Sequence, residues 1–478
     1  MSSSYSAFTN DCLGTLDATA ITERVRKGEI SLDEAIDAAI TRARKSQSII
    51  HAMVVDDFER VKARAKYRPG DKSSPRSDSR LNVPAFLKDN TNLAGLATRL
   101  GSAATSAKPV ERTDKLVDQL QASGLHFIGK STTPAFGFGC TTEFDDGTQP
   151  TRNPWNLGLS AGGSSGGSAA LVASGVVPIA HANDGGGSIR IPAAMCGLVG
   201  LKPSRGRLVL HAKARGMPVN IISDGVVTRT VRDTANFYYE AERYYQPHNM
   251  KPIGLVEGPA RKRLRIGFVY DSILTKACAE TRQTVDATVK ALANLGHYVE
   301  ETQFQGTERF AKDFTLYWSL LAFSAEYMGG AVFGREFDRK KLDGLTRGLS
   351  RYFRQNFFGS LGAIRALRNI NNSPAFREWK YDVVLSPVLA RVTPELGHLS
   401  PAVPFDKLLP RLQEYVGYTP LANAAGNTAI SLPMGRSNRG DPIGLQLSAP
   451  TGDERLLLEL AYELEGAKPW PFIYENRK

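Results

Sequence analysis

Two glycine-serine loops joined by one apolar run, all between Leu159 and Arg207, constrain this chain more than any other stretch. The first reads Ser160-Ala-Gly-Gly-Ser-Ser-Gly-Gly-Ser168, and the second Asn183-Asp-Gly-Gly-Gly-Ser-Ile-Arg190. Glycine reaches positive φ without steric cost and lets other groups approach the backbone closely. Successive N–H groups in such loops form an anion-binding concavity. Serines stand where the backbone is least obstructed: Ser164 and Ser165 in the first loop, Ser188 in the second. Between the loops, Ser168 to Ala173 reads as a helix stopped by Gly175, and Val176 to Ala180 as a buried strand. Ser188 therefore follows a strand end, where an acyl-transfer nucleophile is needed, because its oxyanion must meet donors already in place.

Two other patterns compete for this stretch and fail on context. Gly124-Leu-His-Phe-Ile-Gly-Lys-Ser131 satisfies the phosphate-loop pattern. Its four intervening residues are bulky or apolar, so it reads as a strand flanked by glycines. Gly162-Gly-Ser-Ser-Gly166 fits the nucleophile elbow, with His398 downstream. An elbow needs a preceding strand, and Thr151-Arg-Asn-Pro-Trp-Asn156 reads as loop. No histidine lies in either glycine loop, so a serine nucleophile must find its base elsewhere in the chain.

The long pattern resembles the amidase signature family. That family carries Gly-Gly-Ser-Ser-Gly-Gly-Ser, then a second serine in Gly-Gly-Ser-Ile-Arg, then Cys-Gly-x-x-Gly-Leu-Lys-Pro. Its two serines are 24 residues apart, as Ser164 and Ser188 are. An upstream Pro-x-x-x-Lys-Asp corresponds to Pro84-Ala-Phe-Leu-Lys88-Asp89. The resemblance implies that Ser188 is the nucleophile, Ser164 a bridging serine after a cis peptide at Gly163, and Lys88 the base. Lysine serves as a base only when neutral, and burial lowers its pKa. Ser164 both accepts and donates, so it can relay the proton from Ser188 to Lys88 and later toward the leaving amine. Gly185, Gly186 and Gly187, with Ser188, are the expected oxyanion donors. Asp184 and Arg190 are the expected buried ion pair supporting that loop.

The resemblance extends over most of the chain, through Arg152-Asn-Pro-Trp-Asn156, Asp224 to Asp233 and Ala429 to Gly435. It implies one α/β amidase domain over residues 1–478, with a large twisted mixed sheet covered by helices on both faces. Residues 17–65 would be N-terminal helices and 80–235 the signature core. Residues 300–380 would form the variable pocket region, and 381–478 the last part of the sheet with a final helix. The chain departs from the family in Asn183, where threonine is commoner, in Gly185 for a larger residue, and in Gly426-Asn-Thr428. The segment His181 to Ser188 is similar to the branch with cyclic-amide hydrolases and aryl acylamidases. A subunit like the glutamyl-tRNA amidotransferase A chain, which needs a partner, and a catalytically idle scaffold are the alternatives.

Composition bears on partners. The 478 residues exceed one ordinary core, and a net charge of +12 with a pI near 9.4 allows nucleic acid or an acidic membrane. Of the basic clusters, Arg261 to Arg265 has no aromatic and Arg335 to Lys341 only Phe337, short of the interleaving that a single-strand binding surface wants. Neither nucleic acid nor membrane is expected, but a small-molecule amide, with the protein a monomer or homodimer. Cys12, Cys140, Cys196 and Cys278 lie far apart, and the seven histidines lack metal spacing, so neither disulfides, metal nor cofactor is expected. The N-terminus has no signal-like segment, which points to the cytoplasm.

Along the chain, residues 17–45 read as helical, with a capping box at Ser31-Leu-Asp-Glu34, and 68–80 as a surface loop. Val83 to Leu87 reads as a buried strand ending at Lys88, and residues 265–301 as strand, helix, strand. Ile443 to Leu447 reads as a half-buried strand, and Asp453 as the cap of the last helix. Residues 308–370 mix aromatics with arginines in helices. This region and the stretch Phe136-Gly137-Phe138-Gly139-Cys140, with Phe138, Gly139 and Cys140 foremost, are the expected walls of an apolar substrate pocket.

Overall fold

The structure is a computed structural model and describes residues 4–65, 78–373 and 380–476. In chain order its strands are β1 Met53–Asp56, β2 Val83–Lys88, β3 Leu125–Ser131, β4 Arg152–Asn153, β5 Asn156–Ser160, β6 Ile179–Asp184 and β7 Val199–Lys202. They continue as β8 Ser223–Thr228, β9 Arg265–Phe268, β10 Tyr298–Glu301, β11 Val383–Pro387, β12 Thr428–Arg436 and β13 Pro442–Ala449. Among the described residues eleven of them form one sheet, ordered β1-β3-β2-β6-β8-β7-β12-β13-β11-β9-β10. It is mixed: β2 lies parallel to β3 and β6, and β9 parallel to β10 and β11, with antiparallel pairs elsewhere. Every residue of β2, β3, β6, β7 and β8 is buried. Helices therefore cover both faces of these strands, as in the α/β architecture expected.

Local chemistry explains where elements start and stop. Ser31 accepts from the Glu34 N–H while the Glu34 carboxylate accepts from the Ser31 N–H, which starts helix Leu32–Ile50. The expected helical stretch 17–45 is interrupted after Arg26, because Gly28 takes φ +71. The strand expected from Val176 begins only at Ile179, since Pro178 has no N–H for a ladder. Thr151 to Asn156 is not all loop: β4 and β5 pair in a small separate sheet, so a strand does precede the first serine loop, outside the large sheet. The phosphate-loop look-alike is strand β3 through Ser131, as its apolar filling requires.

Strand β13 is buried on both faces rather than half-buried. Helices Arg190–Cys196, Ala279–Asn294 and Glu454–Ala467 all pack on it. Asp453 stands at the start of helix Glu454–Ala467 without a capping hydrogen bond from its side chain. The helix is held instead by Leu457, Leu460 and Leu464, all buried. The surface loop expected at 68–80 lies mostly outside the described residues.

Candidate active site

Parallel pairing of β2 with β6, Ala85 opposite Ile179 and Phe86 opposite Ala180, brings the carboxyl ends of both strands to one edge. In open α/β sheets that edge is where ligands bind. Lys88 ends β2, Asn183 and Asp184 end β6, and helix Gly166–Ala173 brings the first serine loop against them. Lys88 is fully buried, not the solvated terminus usual for a lysine at a strand end. Its Nζ lies 2.7 Å from Ser164 Oγ, 2.9 Å from Ser165 Oγ and 2.6 Å from Asn183 Oδ1. Burial lowers its pKa to about 7, although the charges of Asp224 and Asp184 act the other way.

The peptide bond between Gly163 and Ser164 is cis. Gly163 has no room for a side chain, since a Cβ there would stand 2.7 Å from the Thr141 nitrogen. Ser188 sits half-buried in the loop after β6, in the same cavity as Ser164. Among the described residues no hydrogen bond joins the two hydroxyls. The structure thus joins Lys88 to Ser164 and sets Ser188 in the same cavity.

The loop that carries Ser188 is braced from beneath. Arg190 grips Asp184 through Nε and a terminal nitrogen, each at 3.0 Å, with both side chains fully buried. Burial alone would raise the Asp184 pKa, but the Arg190 guanidinium, with Lys202 and Asn423, holds it well below the usual carboxylate range. Arg190 also donates to Gln446 Oε1, the Thr419 carbonyl and Asn423 Oδ1. Sequence reasoning anticipated the pair but not these partners, which come from distant segments with no motif of their own.

Gly187 departs from the expected role of oxyanion donor. Its N–H donates to Asp184 Oδ1 at 2.7 Å, so it points down into the brace and not into the cavity. Its φ of +133 suits glycine, and a Cβ would meet Thr419 Oγ1 at 2.4 Å. Thr419 in turn donates to the Gly186 carbonyl at 2.6 Å. Among the described residues no hydrogen bond occupies the N–H groups of Gly185, Gly186 and Ser188.

In front of the serines lies a cavity of about 230 Å³. Phe138, Gly139 and Cys140 line it, as expected, and so do Phe310, Phe314 and Trp318 of helix Glu308–Phe333. Phe136, at the start of the stretch that ends at Cys140, also lines it as expected; sequence reasoning missed Leu100, Met217, Ile221, Ile222 and Leu412, which add to the walls. No aspartate, glutamate, lysine or arginine is among the described lining residues. Burial, with the Glu143 charge, pushes the Cys140 thiol up to about 12, so it stays protonated and is no rival nucleophile. No group of three or more His, Cys, Asp or Glu among the described residues is placed to hold a metal ion.

Comparison with known proteins identifies the family. The Amidase family model matches residues 34–458. AmiC of Mycobacterium tuberculosis, which carries the name of an amidase, is 43% identical over 469 residues, 98% of both chains. The 6-aminohexanoate-cyclic-dimer hydrolase of Paenarthrobacter ureafaciens is 32% identical over 95% of both chains. A solved structure of 6-aminohexanoate cyclic dimer hydrolase with its substrate superposes with a TM-score of 0.83 at 29% identity, covering 95% of this chain and 97% of that one. A catalytic-looking amine and two serines at one sheet edge, within a fold and sequence matched end to end, lead to one conclusion: the chain belongs to the amidase family and is an amide-bond hydrolase.

Proposed function

We propose that the protein hydrolyses aryl or medium-chain acyl amides, and related carbamates or esters, through an acyl-enzyme on Ser188. The observation that carries this reading is the set of partners around Lys88 Nζ. A neutral amine has two protons to donate and one lone pair. Asn183 Oδ1 only accepts, so it takes one proton. Ser165 gives its own proton to the Asn183 carbonyl at 3.3 Å, so it accepts the other. The lone pair is left facing Ser164, whose proton it accepts at 2.7 Å.

Ser164, having donated to Lys88, accepts the proton of Ser188 as that hydroxyl attacks the amide carbon. The oxyanion that forms meets the N–H groups of Gly185, Gly186 and Ser188, each worth about 3 kcal/mol to the transition state. The relay then runs backward: Ser164 passes the proton to the departing nitrogen, and the C–N bond breaks. Water enters on the same path and attacks the Ser188 ester while Ser164 takes its proton; the relay returns that proton to Ser188 Oγ as the C–O bond breaks and the acid leaves. Apolar walls select an apolar acyl or aryl group, since binding a hydrocarbon there removes it from water at about 25 cal/mol per Å².

The test is labelling with a serine-directed fluorophosphonate during hydrolysis of an acyl p-nitroanilide. The adduct is expected on Ser188 and to vanish in Ser188→Ala. An adduct that persists undiminished in Ser188→Ala overturns the assignment.

A further inference from the structure

Helices Gly344–Gln355 and Ser360–Arg368, joined through Phe357-Phe358-Gly359, make a helix–turn–helix hairpin whose two arms each pack on helix Glu308–Phe333. Phe357 is 56% exposed, Phe358 100% and Leu361 81%. Phe358 meets Phe357 edge-on at 6.0 Å, and Phe357 meets Phe353 at 5.7 Å; beyond that the tip stands in solvent. From Gly344 to Ser373 the chain has five arginines and no aspartate or glutamate. Arg347, Arg351 and Arg354 follow the i, i+4, i+7 spacing on the first helix, as Leu361, Arg365 and Arg368 do on the second. All six are exposed. Among the described residues none of these arginines makes an ion pair; Arg347 and Arg368 donate only to backbone carbonyls.

An exposed apolar turn flanked along the chain by arginines that make no ion pair among the described residues suits a surface that is oily below and anionic above. We propose that this hairpin seats the protein peripherally on an anionic phospholipid bilayer. Phe357, Phe358 and Leu361 enter the interfacial layer, and the arginines meet lipid phosphates. Among the described residues no helix is long and apolar enough to cross a membrane, so contact is by this tip. A second copy of the chain is the poorer occupant, since two-fold docking of this face would set like-charged rows against each other. Single-stranded nucleic acid is also a poorer fit, because its bases need ring faces interleaved among the cations. Leu316, Phe353 and Ala363 clamp the hairpin onto helix Glu308–Phe333, the helix that gives Phe314 and Trp318 to the cavity wall. The sequence alone pointed to no membrane partner, because aromatics at helical spacing read as core until Phe358 is seen fully exposed.

The inference is independent of the amidase chemistry, and its test reads binding. The full chain is sedimented with vesicles of phosphatidylcholine mixed with phosphatidylglycerol, and with phosphatidylcholine alone. Binding is expected to the mixed vesicles and to weaken with added salt. Phe358→Asp should lower the partition coefficient about tenfold or more. The triple variant Arg351→Glu, Arg354→Glu, Arg365→Glu should lose the preference for phosphatidylglycerol. Phe358→Trp should show blue-shifted emission on mixed vesicles, and all three variants should hydrolyse a soluble anilide like the parent protein. Equal binding to both vesicle types, unchanged binding in Phe358→Asp, or a dimer lost in Phe358→Asp without vesicle binding would each overturn the proposal.

Discussion

Lys88 ends β2 without exposed surface, and burial brings its pKa to about 7. Below that value the amine carries a proton and cannot take one from Ser164; above it the lone pair is free. Hydrolysis measured as kcat/KM therefore rises with pH through about 7 and levels off on the alkaline side. Lys88→Ala should lower kcat by far more than it changes KM, and a profile flat from acid to alkaline pH would exclude a lysine base. Asn183 offers a sharper test, because its Oδ1 lies 2.6 Å from the amine. Asn183→Asp places a negative charge there, stabilises the ammonium and moves the midpoint of the profile alkaline by about one unit or more. An unmoved midpoint would mean that another group sets the profile. The two serines and the lysine were legible because family spacing marks them. Asn183 was legible only as a departure, since nothing in its neighbours says that its carbonyl oxygen meets Lys88. Three consecutive glycines likewise do not reveal that the N–H of Gly187 turns toward Asp184.

The element that matters most is the loop from Asp184 to Arg190, a short connection between β6 and helix Arg190–Cys196. It keeps its shape because a fully buried carboxylate and guanidinium satisfy each other and the loop's own N–H groups. Arg190→Met leaves Asp184 buried without its partner and should destabilise the fold by about 3–5 kcal/mol, read as a lower urea midpoint. Two glycines in this loop should respond in opposite ways to alanine. At Gly187 the added Cβ meets Thr419 at 2.4 Å and the φ of +133 is strained, so Gly187→Ala should lose activity. At Gly185 the nearest atom is 3.9 Å away, so Gly185→Ala should keep it. Equal effects of the two substitutions on anilide hydrolysis would show that the brace does not control the loop. At this scale the sequence was readable where local chemistry decides, as in the capping box at Ser31. It was unreadable where a short pairing decides, as in the two strands around Pro154, or where packing decides, as in β13, buried by three helices.

The cavity belongs to the whole molecule, because its walls come from stretches centred near residues 100, 138, 220, 274, 315 and 415. The stretches near 138 and 315 read as pocket walls in the sequence, those near 100, 220, 274 and 415 carry no such signal, and only the sheet with its covering helices brings them all round the serines. Its lining fixes what can be bound. A free glutamine must bring an α-carboxylate and an α-ammonium into a space whose described walls hold no aspartate, glutamate, lysine or arginine. Removing those charges from water without partners costs several kcal/mol each. An acyl anilide brings no charge and gains from every apolar wall. We therefore expect kcat/KM for an acyl p-nitroanilide to exceed that for glutamine by several orders of magnitude. Trp318→Ala should raise KM for the anilide, because it removes a wall of the cavity without touching the proton relay. A preference for glutamine, or a Trp318→Ala variant indistinguishable from the parent on a long-chain anilide, would place substrate selection elsewhere than in these walls.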